Sequence, residues 1–189
     1  TDVVKIVSMN NNAFCLKKNG QVLTFGNTNK IPSELNGFKK ILPGYGHAIG
    51  LMKDGSVVSW GSLNMTAPIG ITSVKDIAVG YWHEVILRDS GLINAWGVNT
   101  SGQTNVPAIS NNVKSIISGY DLSIALKNDS TIVAWGGNYG NQSTIPAGLT
   151  NVIDVATGGA FSVALKSDGT LVIWGLPPGA IPAGLSGVS

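Results

Sequence analysis

The stretch VKDIAVGYWHEVILRDSGLINAWGVNTSGQTNVP, residues 74–107, decides the fold. It opens on an alternating apolar run, Val74 to Val79, that stops at Gly80. The variable residues Tyr81-Trp82-His83 lead into a second apolar run, Val85-Ile86-Leu87. Ser90-Gly91 marks a turn, and a third run closes on Trp96-Gly97 before a polar loop, Asn99-Thr100-Ser101-Gly102-Gln103, and Pro107. Apolar alternation broken by turn residues predicts strands, and no helical spacing competes with it. Working outward, the Trp-Gly pair returns as Trp60-Gly61, Trp135-Gly136 and Trp174-Gly175, with Phe25-Gly26 as a degenerate first copy. The steps are 35, 36, 39 and 39 residues. Self-similarity at that period marks a modular array whose units bury their apolar faces on one another.

The turn pair reads Asn19-Gly20, Asp54-Gly55, Ser90-Gly91, Asp129-Ser130 and Asp168-Gly169 in the successive copies. Such pairs signal a hairpin whose two turn residues can both take positive φ, and Ser130 predicts a strained turn in the fourth copy. Each copy ends on a proline: Pro32, Pro68, Pro107, Pro146 and Pro182. Proline has no N–H for a sheet ladder, so this segment is expected to be an outer edge strand or a connector. Three strands and a short fourth per copy, stacked radially, predict an all-β fold, a β-propeller. It is read as a single domain over residues 1–189, with repeats at approximately 1–35, 36–71, 72–110, 111–149 and 150–189. The tryptophan is expected to pack between neighbouring blades. A linear solenoid would favour parallel pairing, whereas these hairpins demand antiparallel strands. Thr1-Asp2-Val3 aligns with both Thr150-Asn151-Val152 and Ser186-Gly187-Val188. The reading adopted is five blades in this chain, either closing a small ring with the overlapping ends as its seam or forming part of a seven-bladed one.

Composition narrows the function classes. The net charge of +2 is carried by dispersed lysines, too weak a footprint for nucleic acid. No apolar stretch is long enough for a transmembrane helix, so no membrane insertion is expected. Cys15 is the sole cysteine and sits at a strand position, where a buried, inert thiol is expected. Four Asn-X-Ser/Thr sequons, at Asn64, Asn99, Asn128 and Asn141, fall in loops or turns. Low charge with abundant Asn, Ser, Thr and Gly suits an extracellular, cell-surface or virion-surface protein.

Copy three carries the combined pattern most fully: Val74, Ile77, Ala78, Gly80, His83, Leu87, Gly91, Trp96, Gly97, Asn99, Gly102, Gln103 and Pro107. This pattern resembles the regulator of chromosome condensation repeat, and the resemblance covers essentially the whole chain. The short blades and the Trp-Gly station look most like the bacterial branch that includes β-lactamase inhibitory protein II. The resemblance implies a propeller, usually seven-bladed, used as a binding platform. Copies one and five depart from it, with Asn10-Asn11-Asn12 in place of Gly-x-x-His and Pro177-Pro178 in place of a Gly-Gln loop.

Antiparallel alternation puts the loops after the first strands on the same face as the polar loops. Those first loops read Asn10-Asn11-Asn12, Tyr45-Gly46-His47, Tyr81-Trp82-His83, Tyr120-Asp121-Leu122 and Gly159-Ala160-Phe161. Trp82 is the one tryptophan outside the repeating station, and Tyr and Trp at variable loop positions are the anchors protein interfaces use. The candidate partner-binding residues are Tyr45, His47, Tyr81, Trp82, His83, Tyr120, Asp121 and Phe161. His47 and His83 also stand where a histidine can brace the loop, and the tyrosines where they can pack around the channel.

Catalytic constellations are missing from the sequence. His83-Glu84 begins a zinc-protease signature, but Leu87 stands where its second histidine would be. No nucleophile elbow, phosphate loop or paired-carboxylate motif occurs. The chain is therefore read as a non-enzyme with no catalytic residues, no metal and no cofactor. The favoured function is a platform for a protein partner, inhibitor-like or for surface recognition. The alternative is a carbohydrate-binding lectin or adhesin of a bacterial surface or phage virion, with sites on or between blades. Oligomerisation is expected if the ring is incomplete.

Overall fold

The computed structural model describes residues 2–9, 12–26, 36–61, 65–109, 112–177 and 179. Asn10, Asn11, Pro32, Pro182 and the aligned Ser186 to Val188 lie outside the described residues. Strands arise where the apolar runs were read, and they pair within each copy. The first sheet holds β1 (Val3–Met9), β2 (Asn12–Lys17) and β3 (Val22–Gly26), and the second holds β4 (Phe38–Pro43), β5 (His47–Met52) and β6 (Val57–Gly61). The third holds β7 (Val74–Val79), β8 (His83–Arg88) and β9 (Ile93–Gly97). The fourth holds β10 (Val113–Ser118), β11 (Leu122–Lys127) and β12 (Ile132–Gly136), and the fifth β13 (Val152–Thr157), β14 (Phe161–Lys166) and β15 (Leu171–Gly175). All pairings are antiparallel, in sequence order. The fold is an all-β propeller with five blades in this chain. The segments around Pro68, Pro107 and Pro146 are connectors rather than fourth strands, in keeping with a residue that cannot donate to a ladder.

A register shift recurs at the start of each first strand, between Val3 and Lys5, Phe38 and Lys40, Val74 and Asp76, Val113 and Ser115, and Val152 and Asp154. In a regular strand, residues three apart point to opposite faces. The extra residue of a bulge restores them to one face, so Phe38 and Ile41, Val74 and Ile77, Val113 and Ile116, and Val152 and Val155 are all buried. The Val-x-x-Ile spacing of the repeat is thus a bulge signature.

The hairpin turns differ from the two-residue type expected. Gly20, Gly55, Gly91, Ser130 and Gly169 have positive φ, but the residue before each does not. Gly55 N–H donates to Met52 O and Met52 N–H to Ser56 O, a three-residue loop in which the positive-φ residue forms a bulge. The leading aspartate tightens it: Asp54, Asp129 and Asp168 each accept from the backbone N–H and hydroxyl two residues on. Ser130 does adopt the left-handed region, at φ 63°.

Four apolar cores lie between consecutive sheets. Trp60 of the second sheet meets Phe14 of the first edge-on at 6.2 Å and also packs on Phe38. Trp135 joins Val85 and Leu87 of the third sheet, and Trp174 joins Leu122, Ile124 and Leu126 of the fourth. First strands of neighbouring sheets touch one another, so they line the axis. Among the described residues the outermost faces have no such neighbour. Ile6 is 65% and Phe25 57% exposed, although Phe25 holds the tryptophan station. On the other end, Val163, Leu165, Leu171 and Ile173 are only partly covered. Among the described residues the five sheets form an open arc, while Ser186 to Val188, the C-terminal side of the overlap read as the seam of a ring, lie outside the described residues. Cys15 pairs with Ile6 and Leu23 on the open face and is half-exposed, not buried.

Candidate partner-binding face

The Gly-x-x-His unit builds a tight turn after β4 and after β7. Gly44 N–H donates to His47 O and Gly80 N–H to His83 O, both at 2.8 Å. The imidazole then lies on the glycine: a Cβ at Gly44 or Gly80 would fall 2.1 Å from the ring. Phe161 repeats the arrangement on Gly158, where a Cβ would fall 2.4 Å from its ring. His47 and His83 are consequently buried, and Phe161 is half-buried. The two histidines, read as contact residues that could also brace the loop, do not reach the surface. Burial takes the His83 pKa down to about 4, with the nearby His47 adding to the effect, and lowers that of His47.

The other loop residues do come together. Tyr45 and Tyr81 stack at 4.2 Å and 21°, and Tyr81 and Tyr120 at 4.2 Å and 22°. Trp82 meets the edges of Tyr45 at 4.8 Å and Tyr81 at 5.0 Å. Backbone bonds tie the stack across three sheets, Tyr45 N–H to Tyr81 O and Tyr81 N–H to Tyr120 O. Both faces of the Tyr81 ring are covered, so it spaces the stack while Tyr45 and Tyr120 expose their outer surfaces. Desolvation, then the neighbouring tyrosine hydroxyls, pushes the Tyr81 pKa up to about 12. Asp121 is half-buried beside Tyr120; its carboxylate receives Gln103 Nε2 at 3.5 Å, and burial raises its pKa.

The polar loops share this face, as alternation requires. Val98 N–H donates to Trp82 O, Gly137 N–H to Asp121 O and Leu176 N–H to Ala160 O. Tyr139, 67% exposed, donates its hydroxyl to Gly159 O. Sequence reasoning left Tyr139 out because it sits in the polar loop, not in the variable triplet. Its aromatic ring amid Asn and Gly was the available signal.

Gln103 and Gln142 hold structural posts. Their side-chain carbonyls accept from the N–H groups of Ser101 and Gly140, while their backbone carbonyls cap the next sheet's tryptophan, Gln103 O from Trp135 Nε1 and Gln142 O from Trp174 Nε1. Ser123 and Ser162 hydroxyls donate to the same carbonyls. Copy two lacks this loop, with a step of eight from Trp60 to Pro68 against eleven from Trp96 to Pro107. In the third sheet Glu84 occupies the serine's station, beside the Trp96 indole. Glu84 is fully buried, accepts from Ser59 Oγ, and has its pKa raised to about 8 by burial, opposed by the Ser59 hydroxyl and the Trp96 N–H. Among the described residues no three His, Cys, Asp or Glu side chains gather into a metal-binding group.

Repeat and fold together find their counterparts in known proteins. Residues 74–103 and 152–177 match the Regulator of chromosome condensation (RCC1) repeat. No curated protein sequence matches the chain. Among solved structures, yeast RCC1 (Prp20) bound to Kap60 is similar with a TM-score of 0.79 at 21% identity, over 92% of this chain and 56% of that one. Prp20p from Saccharomyces cerevisiae, described with its binding to Gsp1p and histones, gives 0.79 at 22% identity, over 92% and 58%. The ectodomain of the Physcomitrella patens receptor kinase CR4 gives 0.79 at 20% identity, over 93% and 53%. At these identities the likeness is one of fold, and the chain spans little more than half the length of these structures. The two matched segments fall on the third sheet, which carries Tyr81 and Trp82, and on the fifth.

Proposed function

We propose that this chain is a non-enzymatic platform that binds a protein partner through the face carrying Tyr45, Trp82 and Tyr120. The observation that carries the reading is the stacked aromatic group, built across the second, third and fourth sheets and not repeated around the arc. Sugar sites repeated on each blade would need like groups in several copies, whereas the triplet loops differ in every one. One asymmetric patch with exposed aromatic anchors suits a single protein epitope. The similarity to yeast RCC1, seen bound to Kap60, and to Prp20p, described as binding Gsp1p and histones, supports the class of function and leaves the partner's identity open. The inhibitor-like branch and a surface location belong to the same proposal, on the compact blades and the low-charge composition.

The test is affinity loss at single sites. With a protein ligand in hand, Trp82→Ala is expected to weaken binding by about 2 kcal/mol or more, roughly thirtyfold. Asp54→Lys and Asp168→Lys, on the turns at the opposite end of the strands, are expected to leave the dissociation constant nearly unchanged. A glycan array showing several equivalent sites per chain, indifferent to Trp82→Ala, would replace the platform by a lectin.

A further inference from the structure

The strand residue after each Gly-x-x-His, Gly-x-x-Leu or Gly-x-x-Phe turn faces the preceding sheet. It is Ala48 in the second sheet, Glu84 in the third, Ser123 in the fourth and Ser162 in the fifth. Across the junction of the third and fourth sheets, His83 Nε2 meets Ser123 Oγ at 2.8 Å. Across the junction of the second and third, the same geometry sets His47 Nε2 against Glu84 Oε1 at 3.8 Å, with both side chains fully enclosed. At 3.8 Å the two atoms are in ion-pair range but beyond hydrogen-bond length, and neither has a hydrogen-bond partner. The opposite nitrogen, His47 Nδ1, faces Tyr45 O at 3.3 Å. Tyr45 is the end of the aromatic stack, held to Tyr81 by its ring and by its N–H.

We propose that Glu84 and His47 form a proton-operated latch that holds Tyr45 against Tyr81 while the Glu84 carboxyl is protonated and releases it on ionisation. The inference rests on the platform reading and supplies its regulation. In the closed state the carboxyl proton on Oε1 points at the Nε2 lone pair, and the ring's own proton, on Nδ1, is donated to Tyr45 O. When Glu84 loses its proton to solvent, an Nε2 lone pair would face a carboxylate. The single imidazole proton then moves to Nε2, where it pairs with the carboxylate. Nδ1 is left with a lone pair against the Tyr45 carbonyl, and that contact turns repulsive. One proton leaves, one changes nitrogen, and the brace of the Tyr45 loop is lost.

The surroundings leave this pair to act on its own. Ser59 on β6 donates to the other carboxylate oxygen, the Trp96 N–H on β9 lies nearby, and Val79 pairs with Glu84 from β7. His83, adjacent on β8, is the nearest further titratable group; its low pKa keeps it neutral where the latch operates. Tyr81, with its pKa at about 12, likewise stays uncharged. Among the described residues no Lys, Arg or Asp side chain bonds either partner. Burial raises the Glu84 pKa to about 8, which brings its ionisation into the pH range of the test.

The test needs no partner, so its failure leaves the platform reading standing and can be told apart from failure of that reading. Nitrogen shifts of 15N-labelled histidine distinguish the two tautomers directly. Between pH 6 and 9.5, His47 is expected to pass from the Nδ1–H to the Nε2–H form, with the ring resonances of labelled Tyr45 moving at the same midpoint. In Glu84→Gln, whose amide N–H supplies Nε2 permanently, both changes should vanish. Glu84→Ser, which installs the residue of the fourth and fifth sheets, serves as the second variant and should also hold Tyr45 still. An unchanging His47 tautomer in the parent protein, or a Tyr45 transition that persists in either variant, overturns the latch.

Discussion

Gly80→Ala would set a methyl group 2.1 Å from the His83 ring, which has backbone and Ser123 on its other sides. Overpacking of that kind is expected to cost roughly 1–3 kcal/mol, read as a lower urea midpoint at unchanged slope. The opposite sign is expected at Ser130, whose φ of 63° is costly for a residue with a Cβ. Ser130→Gly should stabilise the chain by about 1 kcal/mol in the same titration. Both positions were legible from sequence, Gly80 because it holds a repeating glycine station and Ser130 because it stands in a glycine slot. Glu84 was legible only as half of a zinc motif that failed. Its pKa of about 8 lies above its ordinary 4.5, so its protonated form favours folding, fully below pH 4.5 and decreasingly as pH rises through 8. The histidines act the other way, and their effect is complete above 6.5. Unfolding free energy should therefore fall by roughly 1–2 kcal/mol from pH 6.5 to 8, and Glu84→Gln should flatten that window.

At the scale of strands and turns, the tryptophan station and Trp82 separate. Trp135 fills the core between the third and fourth sheets and donates to Gln103 O, so Trp135→Ala is expected to cost roughly 3–5 kcal/mol. Trp82 rests on the edges of two tyrosines with one side open, and Trp82→Ala should cost clearly less by chemical denaturation. The strands, the antiparallel order and the shared loop face were readable because period two and turn residues report local backbone geometry. The bulge was written in Val74-x-x-Ile77 yet passed for simple alternation. The turn type was misjudged because Asp-Gly suits two hairpin loops, and the hydroxyl two residues after the aspartate, at Ser56, Thr131 and Thr170, selects the longer one. The fate of His47 and His83 was illegible as contact or brace: burial depends on a neighbouring sheet, which no local pattern encodes.

At the scale of the whole molecule, among the described residues each sheet leans only on the sheets before and after it, and the first and last lean on one. Whether the ends meet could not be read from the repeat, because every copy carries both mating faces whether or not a neighbour is present. Exposure of Ile6 and Phe25 supplies the answer for the described arc. Amide exchange should follow this order, with β8 and β11 slowest and β1 fastest, and uniform protection across all sheets would contradict it. The consequence reaches the way the chain melts. A ring without a seam gives way all at once, but a row of units coupled to nearest neighbours can shed its outer members while the middle stands. Calorimetry on this chain should then return a van't Hoff enthalpy smaller than the measured heat, the sign that melting travels inward from the ends instead of striking everywhere together.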